Sequence, residues 1–181
     1  MDKIAIGNYS KAPNYRHYIA HFSVRNKIMD IKKAIIEALR LISSKEEEAV
    51  ISVAGKKGEF VGRRFFVVSI AYGKNFRRMN WKVIKKIYDI INKGELKVLD
   101  VKIYVKHKFL KSSGRRGFTW SDKYFVRLIF MEKSFDIQIT HLGGLLRLAP
   151  EELGGILISN IIQSLRKIGE KPLIKKEYET Y

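Results

Sequence analysis

Residues 101–109 alternate between apolar side chains and basic or aromatic ones. Successive side chains of a β-strand point to opposite faces, so this alternation predicts a strand with one apolar face and one lysine-rich face. The lysine-rich face carries Lys102, Tyr104, Lys106 and Lys108. Ammonium groups bind phosphates and an aromatic ring stacks on unpaired bases, so this face suits single-stranded nucleic acid. The same pattern is also typical of a solvated strand in a lysine-rich protein.

The following hairpin repeats this chemistry. Its second strand, predicted over 123–131, carries Phe125 and Arg127 on one face. The loop predicted over 110–122 is rich in glycine and contains Arg115, Arg116, Phe118 and Trp120. Two guanidinium groups can bind phosphates through paired hydrogen bonds, and two rings can stack on bases. We expect this loop to clamp a bound strand, the alternative being a hairpin loop whose tryptophan packs back onto the sheet.

The positive charge of the chain is unevenly distributed. Its 181 residues include 36 Lys and Arg against 18 Asp and Glu, a formal net charge of +18. Residues 101–133 hold nine basic side chains and two acids, and residues 55–94 hold eleven and two. Further candidate contacts in the second segment are Arg63, Arg64, Arg77 and Arg78. An excess confined to hairpins and loops indicates a binding surface for a polyanion, with nucleic acid the first candidate and an acidic membrane surface the second.

Composition excludes several classes of function. The chain has no Cys, which rules out disulfides, thiolate chemistry and Cys-based zinc sites. The four His residues are scattered and no phosphate-binding glycine motif is present, so we expect no metal and no cofactor. The absence of a signal peptide and of a long apolar run predicts a cytoplasmic protein. Abundant Lys and Ile with two Gln are typical of thermophile proteins.

The elements that must position these side chains follow from hydrophobic periodicity. We expect a leader or edge segment over 1–14, one domain over 15–169 and a mobile tail over 170–181. Strand signals precede each of three helical stripes, in the order β-α-β-β-α-β-β-β-α; one stripe lies after Asn26, one after Asn80 and one begins at Pro150. Consecutive hairpins favour an antiparallel sheet with the helices packed on one face, so the predicted class is α+β.

The last helical segment carries a second message. Its apolar residues form a broad stripe, and Gly154 and Gly155 would let another backbone approach closely. So broad a stripe indicates either deep burial or an interface. We expect a homodimer formed through residues 150–169.

These hairpins and the helix after them resemble known single-strand binders. Segments 101–109, 124–130 and 135–139, with the Leu-Ala-Pro-Glu-Glu-Leu entry at 148–153, are similar to the Whirly and Pur types. The order of elements and the Lys- and Ile-rich composition also resemble ThermoDBP-type proteins of hyperthermophilic archaea. The resemblance implies binding of single-stranded nucleic acid on a sheet or cleft, commonly by dimers.

Three hypotheses follow from the sequence. The first is a non-catalytic protein that binds single-stranded DNA or RNA through the residues named above. The second is a metal-independent RNA-processing endoribonuclease with His107 or Tyr104 near the scissile phosphate. The third is a structural subunit of a ribonucleoprotein or viral particle.

Overall fold

The computed structural model describes residues 6–25, 27–52, 59–109, 119–169 and 174–180, with backbone alone at 49–52, 59–61 and 174–180. Within these residues it has eight strands and three helices. Their bounds are β1 (Tyr18–Ser23), α1 (Ile28–Ser44), β2 (Glu46–Ser52), β3 (Glu59–Tyr72), β4 (Asn75–Arg78), α2 (Trp81–Asn92), β5 (Val98–Phe109), β6 (Thr119–Phe130), β7 (Ser134–Gly143), α3 (Pro150–Lys167) and β8 (Ile174–Thr180).

All strands join one sheet in the order β2-β3-β5-β6-β7-β1-β8, and β4 pairs with β3. Every pairing is antiparallel. Apolar residues of all three helices form one buried cluster with alternate residues of β1, β3, β5, β6 and β7. The helices therefore cover one face of the sheet, which we call the helix face, and we call the opposite side the open face. The predicted α+β class is confirmed.

Local sequence signals set several helix ends. The Asn80 side chain accepts a hydrogen bond from the Val83 backbone N–H at 3.0 Å, which confirms the predicted cap of α2. Gly94, just after α2, has a φ of +73°, a conformation that favours glycine. Pro150 stands in the first turn of α3, followed by Glu151 and Glu152 at its positive end. The cap of α1 is Lys27, which makes no side-chain cap hydrogen bond.

Three segments differ from the sequence-based prediction. The sequence predicts a basic loop over 73–78, but this stretch contains β4, and the tail expected at 170–181 contains β8, which pairs with β1. The second strand of the hairpin begins at Thr119, four residues before the predicted start. Short charged strands carry little hydrophobic alternation. Instead, β4 and β8 form because they pair with the otherwise unpaired N–H and C=O groups along the edges of β3 and β1.

Two adjacent glycines of α3 give a direct test of its packing. A Cβ atom on Gly154 would lie 2.5 Å from Cε1 of Tyr18, while one on Gly155 would meet nothing within 4 Å. We expect Gly154→Ala to lower the free energy of unfolding by about 1–3 kcal/mol through overpacking. Gly155→Ala should raise it by about 0.5–1 kcal/mol because alanine favours the helix. Urea denaturation measures both, and equal effects would contradict the packing of α3 on β1.

Candidate nucleic-acid interface

The uncovered part of the open face carries a compact group of lysines and rings. Phe65 of β3 lies directly opposite Lys106 of β5, and Tyr104 of β5 lies opposite Lys123 of β6. We use the name basic–aromatic patch for this group, which consists of Phe65, Tyr104, Lys106, Lys108 and Lys123. Three neighbouring strands thus bring together residues that are up to 58 positions apart in sequence (123 − 65).

Two of the three lysines of the patch lie over its rings. Lys108 Nζ is 4.7 Å from the centre of the Phe65 ring, and Lys123 Nζ is 6.0 Å from that of Tyr104. Both rings are half-buried, so part of each remains accessible. Among the residues that the structure describes, no carboxylate forms an ion pair with Lys106, Lys108 or Lys123. These ammonium groups are therefore available to an external anion.

An N-terminal segment, residues 6–16, covers the rest of the open face. The Tyr9 ring lies 4.8 Å from Phe76 and 6.4 Å from Phe125, measured between ring centres. Thr140 donates a hydrogen bond to the Tyr15 carbonyl at 2.7 Å, farther along the same segment. Phe125 is consequently 1% exposed, so it cannot stack on a base as the sequence predicts.

A buried carboxylate holds this segment in place. Asp100, 0% exposed, accepts a hydrogen bond from the Tyr9 backbone N–H at 2.7 Å. Arg127 donates from Nε and Nη2 to the two carboxylate oxygens, both at 2.8 Å. These bonds raise the pKa of the Arg127 guanidinium above its ordinary value. Arg127, predicted to bind nucleic acid, is thus occupied by an internal ion pair. Lys102 lies at the border between the covered part of the open face and the patch, with its Nζ 4.4 Å from the centre of the Phe76 ring.

The arginine pair at 63–64 is divided between the two faces because adjacent strand residues point in opposite directions. Arg63 is exposed on the open face and pairs with Glu46 of β2 at 3.0 Å. Arg64 is buried on the helix face and pairs with Glu152 of α3 at 3.2 Å. Arg63 therefore stays beside the patch with its charge partly offset, and Arg64 lies outside any surface formed by the patch.

Trp120 also lies off the open face. Because β6 begins at Thr119, Trp120 shares the helix face with Tyr124. Its ring centre is 4.7 Å from that of Phe109, and the Arg147 guanidinium lies 4.5 Å above it. The ring thus packs against the sheet, as in the alternative to the clamp, although Trp120 belongs to β6 and not to the loop. The other predicted clamp residues, Arg115, Arg116 and Phe118, lie outside the described residues.

The two remaining predicted contacts belong to β4. Arg77 places its guanidinium carbon 4.1 Å from the centre of the Tyr72 ring. Arg78 is exposed and pairs across the ladder with Ser69 of β3, beside α2. Neither residue belongs to the basic–aromatic patch. Both add positive charge at the C-terminal end of β3, where β4 pairs with it.

The structure also assembles a polar cluster that sequence reasoning missed. Asp122 is buried on the helix face, and its carboxylate accepts hydrogen bonds from the backbone N–H groups of Leu146 and Arg147, both at 2.8 Å. His107 Nε2 lies 3.3 Å and His141 Nε2 3.6 Å from the same carboxylate. The members of this cluster come from three strands, β5, β6 and β7, and from the loop before α3, so no sequence spacing signals it. Within the described part of the chain, no group of three or more acidic or His residues is arranged to hold a metal ion.

The buried histidine of this cluster makes stability depend on pH. Burial lowers the pKa of His107 below its ordinary value, an effect larger than the opposing attraction of Asp122. The unfolded chain takes up this proton near pH 6.5, whereas the folded chain does so at lower pH. Stability from the neutral His107 is therefore fully present above about pH 6.5 and lost as the pH falls toward its folded pKa.

We expect His107→Gln to remove this contribution to the pH dependence. The free energy of unfolding of the unmodified protein, measured by urea denaturation between about pH 7.5 and 5, should fall more steeply than that of the variant. Parallel curves would show that His107 does not titrate differently in the folded and unfolded states.

The contacts predicted from the sequence include neither Phe65 and Lys123 of the patch nor the exposed Trp81. Phe65 and Lys123 follow the alternation of their strands, so the register of β3 and β6 on β5 could have identified them. Trp81 directly follows the Asn80 cap and extends the basic cluster at 75–78, which is the signal available for it.

None of the three described helices combines the length and the apolar character needed to cross a membrane. The chain matches no protein-family model, no curated protein and no solved structure. The similarity to Whirly, Pur-type and ThermoDBP-type proteins stays a prediction.

Proposed function

We propose that this protein binds single-stranded DNA or RNA on the open face of its sheet. The observation that carries the proposal is the basic–aromatic patch, in which three lysines lie beside two accessible rings and none has a carboxylate partner among the described residues. The net charge of +18 supports a polyanionic ligand.

The contacts within the patch suggest how a strand would bind. In the free protein Lys108 covers part of Phe65, and Lys123 approaches Tyr104. A bound strand would draw the ammonium groups toward its phosphates, and unpaired bases would take their places on the rings. Base–aromatic stacking of this kind is worth about 1–3 kcal/mol per base and favours single strands, whose bases are free to stack.

Fluorescence anisotropy of labelled single-stranded DNA, single-stranded RNA and duplex DNA over a salt series tests this proposal. We expect tighter binding of a single strand than of the duplex. A plot of the logarithm of the association constant against the logarithm of the salt concentration should have a slope, the salt slope, of about −0.7 for each phosphate neutralised. The reason is that bound phosphates release counterions. Equal or tighter binding of the duplex would indicate a surface that reads phosphates alone and would contradict the proposal.

Of the two residues named for the ribonuclease alternative, only Tyr104 lies on the open face. His107 is 0% exposed on the helix face, whereas Tyr104 lies on the open face of the same strand. The binding hypothesis therefore expects labelled RNA to stay intact after incubation. Discrete cleavage products on a denaturing gel would favour the enzyme.

The homodimer also stays a prediction. Leu153, Leu157, Ile161 and Leu165 of α3 are buried within the chain, and Gly154 packs on Tyr18, so much of the apolar stripe is used internally. Ile158, which packs against the edge of the core, and Ile162 are only partly buried. Sedimentation equilibrium distinguishes the monomer from the dimer.

A further inference from the structure

A cleft of about 380 Å³ lies between the end of α1 and the start of α2. Its walls include Arg40 and Ser44 of α1, Arg78 at the end of β4, and Asn80 and Trp81 at the start of α2. This volume is within the range of about 300–1,000 Å³ that is usual for small-ligand sites. None of these residues belongs to the basic–aromatic patch, so the cleft is a separate surface.

Trp81 is the most informative wall of this cleft. It is 72% exposed, more than any other large apolar side chain that the structure describes. A packed tryptophan buries about 150–250 Å², and this indole leaves most of that area in water. Among the described ring contacts, none involves Trp81. One flat face is therefore free to stack on a planar group.

Positive charge accompanies this ring. The ten residues 77–86 contain five Lys and Arg and no acid. Arg78 is exposed at the cleft. Arg40 donates from Nε and Nη2 to Glu37 at 2.8 and 2.6 Å, which orients the guanidinium while Glu37 offsets part of its charge. Arg78 is thus the principal cation of the cleft, and an anion with a planar, stackable portion is the ligand that its walls suit.

The cleft is also placed to receive a strand that comes from the patch. β2 pairs with β3 up to Phe65, and β4 pairs with it from Ser69 onward. The end of α1 and the end of β4, which border this gap between the two edge strands, also line the cleft. Phe65 and Ser69 lie on the same face of β3, separated by about 13 Å at 3.3 Å per residue. A few nucleotides can span this part of the path, which ends where Ser69 pairs with Arg78, a wall of the cleft.

We propose that the cleft binds one nucleotide of the same strand, with its base stacked on Trp81 and its phosphate bound by Arg78 and Arg40. This inference rests on the proposed function and extends the binding surface from the open face around the edge of β3. The exposed Trp81 thus takes the base-stacking role that the sequence pattern predicts for Trp120.

The chain contains two tryptophans, so the fluorescence of each can be observed when the other is replaced by phenylalanine. In Trp120→Phe the remaining fluorophore is Trp81. Titration with a single-stranded oligonucleotide of about 16 nucleotides, of the type that binds more tightly, should quench its emission and saturate together with the anisotropy signal. Trp81→Phe leaves Trp120 as the reporter of the helix face.

Affinity provides the second measurement. Trp81→Ala should weaken binding about 5- to 150-fold, the equivalent of one lost base stack, and Trp81→Phe should weaken it less. Arg78→Gln should make the salt slope shallower by about 0.7. Because Trp81 is exposed, unchanged thermal melting is the control for folding.

Two results would overturn the inference, and only the second would also overturn the proposed function. If Trp81 is not quenched and Trp81→Ala binds with the affinity of the unmodified protein, the cleft takes no nucleotide. The proposed function would then still stand, provided that the unmodified protein binds single strands. If the unmodified protein binds no single strand at low salt, the proposed function fails and this inference fails with it.

Discussion

Replacement of Lys106 and Lys108 by glutamine should weaken single-strand binding about 25-fold at 0.1 M salt and make the salt slope shallower by about 1.4. Each lysine is exposed on the open face without a carboxylate partner in the described part of the chain. If each neutralises one phosphate, each contributes about 0.7 to the slope, or about fivefold at this salt concentration. Anisotropy titrations at four or more salt concentrations measure both quantities.

The matched control removes the same charge elsewhere. Lys93 and Lys97 are exposed beyond the other end of β5, and Lys97 lies nine residues before Lys106, about 30 Å along an extended strand. Lys93→Gln/Lys97→Gln should leave the slope within a few tenths of that of the unmodified protein. Equal losses in both double variants would mean that net charge, and not the patch, attracts the strand.

Asp122→Ala should lower the free energy of unfolding by about 3 kcal/mol or more. The change leaves the backbone N–H groups of Leu146 and Arg147, whose hydrogen bonds to Asp122 are partly buried, without their acceptor, and it deprives the buried His107 of its charged neighbour. Gly144 shows how closely the turn fits, because a Cβ atom there would lie 2.4 Å from Asp122 Oδ1. Thermal melting measures the effect, and a loss of 3 kcal/mol corresponds to about 6–12 °C in a chain of this size.

Asp89 provides the comparison for this substitution. It is exposed on α2, so Asp89→Ala removes the same charge without leaving a buried donor unpaired. We expect its stability to stay within about 0.5 kcal/mol of that of the unmodified protein. Similar melting temperatures for the two variants would show that the Asp122 hydrogen bonds are not needed to hold the turn between β7 and α3.

The two faces of the sheet have different tasks. The helix face packs against the helices to form the core. At its edge, polar contacts are made by Asp122 with the loop before α3 and by Arg64 with Glu152 of α3. The open face is divided by residues 6–16 into a covered part, held by Asp100, and an accessible part that carries the patch. The proposed strand would follow this accessible part toward the cleft at Trp81.

Several local elements follow from the sequence alone. The alternation of 101–109 was sufficient to assign Tyr104 and Lys106 to opposite sides from Ile103 and Val105, since the period of a strand is a property of its own backbone. The Asn80 cap and the first-turn Pro150 are likewise local, because a cap bonds a backbone group three residues away. The α+β class followed from the order of these elements.

Tertiary structure alone decided which of these side chains remain accessible. Phe125 and Tyr104 occupy equivalent alternating positions, yet Tyr9 and Phe76 cover the first and leave the second open. The covering segment is held through a hydrogen bond between residues 91 positions apart, from Tyr9 to Asp100. Exposure depends on such distant contacts, which no local periodicity encodes, and for the same reason the sequence selected Trp120 where the fold exposes Trp81.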